Sequence, residues 1–195
     1  MKKIKGDISK TIVLMVLLAL VILGFYYRFT NDSGSNRFSK EKSEVDILIN
    51  KDIEGNYPAS PREVLKTYCK ISKIFYSKAL NDKEINLLAE QLRKLFDEEL
   101  LNNNPIDPYL ENLKSEIKEY KAKKQKIVNY MIQKGEEVKY WEKQDQEYAS
   151  IVVSYLIEKD GKYMKTYEKF VLRKDADGEW KILGWTLTDK IDIKE

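Results

Sequence analysis

Apolar and polar positions follow three different patterns along this chain, and each predicts a different kind of element. The first is an uncharged run, Thr11–Tyr27 (TIVLMVLLALVILGFYY), preceded by Lys2, Lys3, Lys5 and Lys10 and followed by a mostly polar remainder. A bilayer core about 30 Å thick needs roughly 20 helical residues, with a working range of about 17–25. Seventeen residues meet the short end of that range. Lys10 and Arg28 extend the span by burying their stems and lifting their charges to the interface. The run has no polar face, which separates it from an amphipathic core helix. Thr11, Leu14, Leu18, Val21 and Phe25 are therefore expected in the bilayer, with Tyr26 and Tyr27 in the aromatic belt at its outer boundary. A cleaved signal peptide would offer small residues after the run. Here Phe25-Tyr26-Tyr27-Arg28-Phe29 is bulky, and no cysteine stands directly behind the run for lipid attachment. The lysines before the run predict a cytoplasmic N-terminus and an extracytoplasmic bulk.

Residues 31–42 (NDSGSNRFSKEK) are too polar to fold alone and read as a tether. Val45, Ile47 and Ile49 alternate with polar residues, which suggests a short strand or an apolar clip onto the domain. The second pattern, with helical period, starts near Tyr57-Pro58. Ser60-Pro61-Arg62-Glu63 is a capping box with proline at the first helical position, followed by Leu65, Tyr68, Ser72, Phe75 and Ala79 on one face. Asn81-Asp82-Lys83-Glu84 opens a second helix along Ile85, Leu88, Leu92, Leu95 or Phe96, and Leu100, which stops at Pro105. Asp107-Pro108 caps a third along Leu110, Leu113, Ile117 and Tyr120.

Beyond about residue 126 the period becomes 2. Ile127–Gln133 fits a helix end or a first strand, and Val138–Glu142 a short strand. Tyr148–Glu158 is apolar on both faces and is expected at the centre of the sheet. Asp160-Gly161 marks a tight hairpin, and Tyr163–Lys174 returns with Met164, Thr166, Phe170 and Leu172 at even positions. Asp175-Ala176-Asp177-Gly178 turns again, and Trp180–Leu187 closes the sheet. The expected fold class is α+β: a transmembrane helix, then about three helices packed on an antiparallel sheet of four or more strands. The organisation is a basic tail over residues 1–10, the membrane helix over 11–29, a polar linker over 30–56, and one domain over 57–195.

Charge and composition narrow the chemistry. The isoelectric point of 8.6 reflects the first 28 residues, which hold five basic side chains and one acidic; the rest sums to about −1. Such a domain has no electrostatic footprint for nucleic acid. Lys118–Lys126 (KEYKAKKQK) is the one basic cluster, read as a solvated helix end. The chain has no histidine and a single cysteine, Cys69. That removes Ser-His and Cys-His nucleophile pairs, thiolate zinc sites and intrachain disulfides. Cys69 reads as a small buried hydrophobe. No phosphate-cradling glycine loop, metal spacing or cofactor motif appears.

The element order, ending in Trp180-Lys181-Ile182-Leu183-Gly184-Trp185 behind an Asp-Gly turn, resembles the nuclear transport factor 2-like (cystatin-like) superfamily over about residues 57–190. The resemblance implies a curved sheet wrapped around a long helix as a half-open cone. Enzymes of that superfamily use acids, tyrosines or histidines inside the cone. A second resemblance is to an uncharacterised family of clostridial membrane-anchored proteins. It rests on Asn56-Tyr57-Pro58 with Pro61-Arg62-Glu63, on Leu95-Phe96-Asp97-Glu98-Glu99-Leu100-Leu101 with Asn104-Pro105, and on Phe170-Val171-Leu172-Arg173-Lys174-Asp175. The Lys-, Ile- and Asn-rich composition fits a low-GC Gram-positive source.

Within the cone, Tyr68, Tyr155, Tyr163 and Tyr167 are candidates for pocket or core. So are Trp180 and Trp185, which lie five apart on a strand and are expected on opposite faces of the sheet. The carboxylates Asp97, Glu98, Glu99, Asp175 and Asp177 cluster at turns and helix ends, where capping explains them. Arg173-Lys174 beside Asp175 reads as a hairpin-end charge pair worth under about 1 kcal/mol. An enzyme is not expected. The favoured reading is a single-pass membrane protein whose extracytoplasmic cone binds an envelope or secretion-type protein partner, self-association included. Assembly factors of type IV secretion machines share that topology. A competing reading, a ligand-binding or enzymatic cone, predicts an open cavity above about 300 Å³ with an inward carboxylate, whereas a filled cavity would favour the protein-binding reading. A third, a lipid- or wall-proximal module, uses the Lys118–Lys126 cluster.

Overall fold

A computed structural model describes residues 43–189; the Thr11–Tyr27 run and its flanks, and residues 190–195, lie outside the described residues. The described part is α+β. Five helices are followed by five antiparallel strands: α1 Glu44–Ile49, α2 Pro61–Ser77, α3 Asp82–Arg93, α4 Glu98–Asn103 and α5 Ile106–Ala122, then β1 Gln125–Ile132, β2 Lys139–Lys143, β3 Gln146–Lys159, β4 Lys162–Lys174 and β5 Trp180–Leu187. No helix among the described residues is long and apolar enough to cross a membrane.

The domain starts earlier than the pattern around Tyr57 predicted. Ser43 and Asp46 form a reciprocal capping box that starts α1, so the segment is a helix and not the strand that alternation allowed, while Val45, Leu48 and Ile49 clip onto the core as the other reading expected. Leu48 and Ile53 are buried in the core, and Ile47 is exposed. Gln91 Nε2 donates to the Ile49 carbonyl at 2.7 Å, and Lys51 Nζ to Thr67 Oγ1 at 2.8 Å. The second half of the expected linker is thus part of the fold.

The α2 helix begins at the expected residue, with Ser60 Oγ accepting from the Glu63 amide and Pro61 in the first turn. The capping box is only half formed, since the Glu63 carboxylate accepts from Lys66 Nζ and not from the Ser60 amide. It buries Val64, Leu65, Tyr68, Cys69, Ile71, Ser72 and Phe75, a stripe wider than a surface helix shows, because the sheet covers one side and α3 and α5 the other. The expected second helix is broken in two. Its continuation would need the peptide groups of Leu95 and Asp97, but β5 takes them: the Asp97 amide donates to the Ile182 carbonyl at 2.9 Å, and the Ile182 amide to the Leu95 carbonyl at 2.8 Å. Asp97 then caps α4, accepting from the Glu99 amide. Pro105, not Asp107, stands at the cap of α5, with no side-chain cap bond. Pro108 is tolerated because first-turn amides need no intrahelical acceptor.

The strand order is β1-β3-β4-β5, with β2 also pairing β3, so β3 is central as its two apolar faces predicted. Asp160 and Gly161 join β3 to β4 with φ of 48° and 74°, the left-handed geometry that suits the twist of a two-residue hairpin. Even positions of β4 face the helices, with Phe170 and Leu172 fully buried. On β5 the register shifts: Leu172 pairs with Ile182 and Val171 with Gly184, so Leu183 is one extra residue. This bulge resets the alternation. Trp180 shares the face of buried Ile182, and Trp185 pairs with Phe170 on that same face. The two tryptophans are therefore on one side of the sheet, contrary to the five-residue count.

Candidate functional site

Between α2, α5 and the helix-facing side of the sheet lies an open cavity of about 270 Å³, somewhat smaller than the volume above about 300 Å³ expected of a ligand-binding cone. Three local patterns bring its walls together. On α2, Tyr68, Ser72, Phe75 and Tyr76 recur at helical spacing; on α5, Tyr109, Asn112, Leu113, Glu116 and Tyr120 do the same. From the sheet come Tyr155 of β3, Thr166 and Glu168 of β4, and Trp185 of β5. The even positions of β4 point the same way, so Thr166 and Glu168 follow from the same alternation that buries Phe170.

Aromatic rings line two sides. Tyr76 and Tyr120 pack with centroids 4.5 Å apart at the α2–α5 seam. Tyr68 sits 5.7 Å from Trp185, and Trp185 stacks at 5.6 Å on Phe170, a core residue outside the lining. Phe96 meets Tyr109 edge-on at 6.1 Å. Tyr155 closes the floor, its hydroxyl 3.5 Å from Cys69 Sγ. Cys69 is fully buried, and burial foremost pushes its thiol up to about 12. It behaves as the small hydrophobe its position predicted.

Every charged residue of the lining is acidic: Glu116 and Glu168. Glu168 is half-buried, and its carboxyl is pushed up to about 7 by burial first and then by the like charge of Glu116. Glu116 is exposed. The phenols lie above their ordinary range for the same leading reason. Burial lifts Tyr68 and Tyr155 well above it, and Glu168 adds to both. Burial, followed by the charge of Glu116 and its hydrogen bond, lifts Tyr76. Tyr109 reaches about 12, raised by burial and opposed by Arg93. At neutral pH the site therefore presents neutral phenols, their ring faces, and a carboxyl group poised to gain or lose a proton.

Of the expected pocket or core residues, Tyr68, Tyr155 and Trp185 do line the cavity. Trp180 is core, with Tyr140 5.8 Å from its ring and Lys174 Nζ 5.6 Å from its centroid. Tyr167 is not in the lining, because it pairs with Ser154 at an odd position of β4, on the other face of the sheet. Tyr163, at another odd position, is exposed. Glu116, Glu168, Tyr76, Tyr109 and Tyr120 were not singled out from sequence. Glu168 was legible as the one charge among the even positions Thr166, Phe170 and Leu172. Glu116 was legible as three residues beyond Leu113 and four before Tyr120.

A second groove, of about 440 Å³, lies between Lys94–Leu101 and the β4–β5 turn. Its cations are committed. Arg173 Nε donates to Asp97 Oδ2 at 3.0 Å, with a second contact from Nη2 to Oδ1, and Glu99 stands 3.4 Å away. Lys174 pairs with Glu147 at 2.9 Å, Lys181 with Glu179 at 2.7 Å, and Lys94 with Glu54 at 3.1 Å. Arg173 thus ties β4 to the cap of α4 and is not a hairpin-end partner of Asp175. Among the described residues no group of three or more His, Cys, Asp or Glu could hold a metal ion.

Fold and site together define an α+β domain with an aromatic, acidic cavity between its helices and its sheet. The chain matches the model of the family described as Domain of unknown function (DUF6715) over residues 1–185, and it belongs to that family. No curated protein matches it.

Proposed function

We propose that this protein is a membrane-anchored binding module whose extracytoplasmic domain, a half-open cone of the nuclear transport factor 2-like kind, holds a small molecule in the cavity between α2, α5 and the sheet. The observation that carries this reading is Glu168. No described residue donates a hydrogen bond or ion pair to its half-buried carboxyl group, and it opens into a cavity lined by ring faces. Burying a carboxyl group without a partner costs stability, and a surface that served only packing would gain from an apolar residue there. Seven of the seventeen lining residues are aromatic and six more are polar, a mixed wall that suits a small ligand with both a polar and an apolar part.

The test is a thermal-shift screen of small molecules against the full chain in detergent, repeated with Thr166→Trp, which fills the cavity from β4. Compounds that stabilise the wild type and do nothing for the filled variant support the pocket. An absence of such compounds, together with unchanged behaviour of the filled variant, sinks it. A protein partner is the second reading. It is favoured by β2, where Tyr140 and Trp141 are exposed, Trp141 is stacked on Tyr148 at 5.5 Å, and, among the described residues, β3 is the only strand paired with it. Crosslinking from an azido-phenylalanine at Lys139 in native membranes would trap that partner, and loss of the product on Trp141→Ala is expected if β2 is the docking edge.

A further inference from the structure

We propose that the molecule held in this cavity is an organic cation, an ammonium group on a small apolar body, clasped between Glu168 and Glu116 and against the faces of Tyr76, Tyr120, Tyr68 and Trp185. The inference rests on the pocket reading above and adds the ligand class. Three features select it. First, the lining contains two carboxylates and no lysine or arginine. Arg93 stands behind the Tyr109 ring, 5.2 Å from its centroid, with its guanidinium donating to the Asn104 carbonyl, so the charges that face the cavity itself are acidic. Second, the lining gathers aromatic rings from both helices and from the sheet, with Tyr76 4.5 Å from Tyr120 and Tyr68 5.7 Å from Trp185, and a desolvated cation is attracted to such rings. Third, a bare metal ion needs more oxygen ligands than two carboxylates supply, whereas an ammonium of low charge density needs only acidic and aromatic contacts. The volume of about 270 Å³ limits the ligand to a small amine.

The titration of Glu168 supports this geometry. Its carboxyl is raised to about 7, by burial first and then by Glu116. The other titratable groups around it are Tyr68 and Cys69 from α2, Tyr120 from α5 and Tyr155 from β3, all neutral at pH 7. An arriving ammonium restores the ionised form, so the proton on Glu168 leaves for solvent as the cation binds.

Binding to the full chain is measured by calorimetry and by Trp185 fluorescence with choline and benzyltrimethylammonium. The matched neutral molecules are 3,3-dimethylbutan-1-ol and neopentylbenzene. The cations are expected to bind at least about tenfold more tightly than their neutral counterparts. Glu168→Gln should lower cation affinity about tenfold or more, and Glu116→Gln, at an exposed position, by less. Below pH 7, affinity should fall by about tenfold per pH unit as a proton must be displaced. Sodium, potassium and calcium chloride serve as the inorganic arm and should not compete. Equal binding of charged and neutral partners, or no effect of Glu168→Gln, overturns the cation and leaves the pocket standing. Silence from both cations up to about 10 mM also overturns it. If the neutral probes are silent too and Thr166→Trp changes nothing, the pocket reading fails as well. Circular dichroism of Glu168→Gln, an isosteric change, separates lost binding from lost fold.

Discussion

The carboxyl group of Glu168 lies on a strand whose residues on either side, Thr166 and Phe170, face the helices at the same parity. An ordinary glutamate carboxyl titrates near 4.5, and in the fold this one is raised to about 7, by burial and then by Glu116. The sign follows from linkage. A group raised on folding favours the folded state fully below its unfolded value, and that contribution is lost as pH rises through the folded value. Ionised Glu168 therefore weakens the empty domain above pH 7, by an amount on the order of 2–3 kcal/mol. Glu168→Gln should melt at a higher temperature than the wild type at pH 8. The gap should narrow between pH 7 and 4.5 and close below that. A gap that ignores pH would show that the carboxyl titrates normally. A residue that costs the fold stability while facing an aromatic cavity is accounted for by binding better than by packing.

Elements are where reading the sequence succeeded and failed for separable reasons. Capping boxes and alternation act locally, so Ser60, Asn81 and the Asp160-Gly161 hairpin were legible, and β3 was recognised as central from its two apolar faces. The breaks were not legible because distant strands make them. The helical spacing through Leu95, Phe96 and Leu100 is genuine, yet β5 captures the peptide groups at Leu95 and Asp97 and splits the helix. Likewise the bulge at Leu183 puts Trp180 and Trp185 on one face, and nothing in their spacing announces it. Asp97 joins these events: it caps α4, pairs with Ile182 through its amide, and accepts the Arg173 guanidinium while itself buried. Asp97→Ala should cost about 2–4 kcal/mol, the sum of a lost cap and a half-buried arginine left without its partner. Asp97→Asn keeps an acceptor for the cap and should cost less. Urea unfolding of both variants reads the difference, and equal losses would mean that the ion pair, not the cap, carries the stability.

At the scale of the molecule, α1 and Ile53 bring the folded domain up to residue 43, and a chain cut at Tyr57 loses Leu48 and Ile53 from the core. Removing two such side chains is worth several kcal/mol, since single large-to-small core changes cost about 2–5 kcal/mol. A chain starting at Lys42 should melt cooperatively, and one starting at Tyr57 should melt far lower or not fold. If the proposed anchor holds, the flanking charges predict which side of the membrane the pocket faces. Lysines at positions 2, 3, 5 and 10 against a single Arg28 after the apolar run argue for a cytoplasmic N-terminus. The native cysteine makes this simple to examine. Cys69 is fully buried and its thiol is raised to about 12, chiefly by burial, so it stays silent toward maleimide in the folded protein. A cysteine placed at exposed Lys143 then becomes the reporter. In intact cells, a membrane-impermeant maleimide should label Lys143→Cys and leave the wild type unlabelled. Labelling only after lysis would reverse the orientation. An extracytoplasmic pocket would then be ruled out.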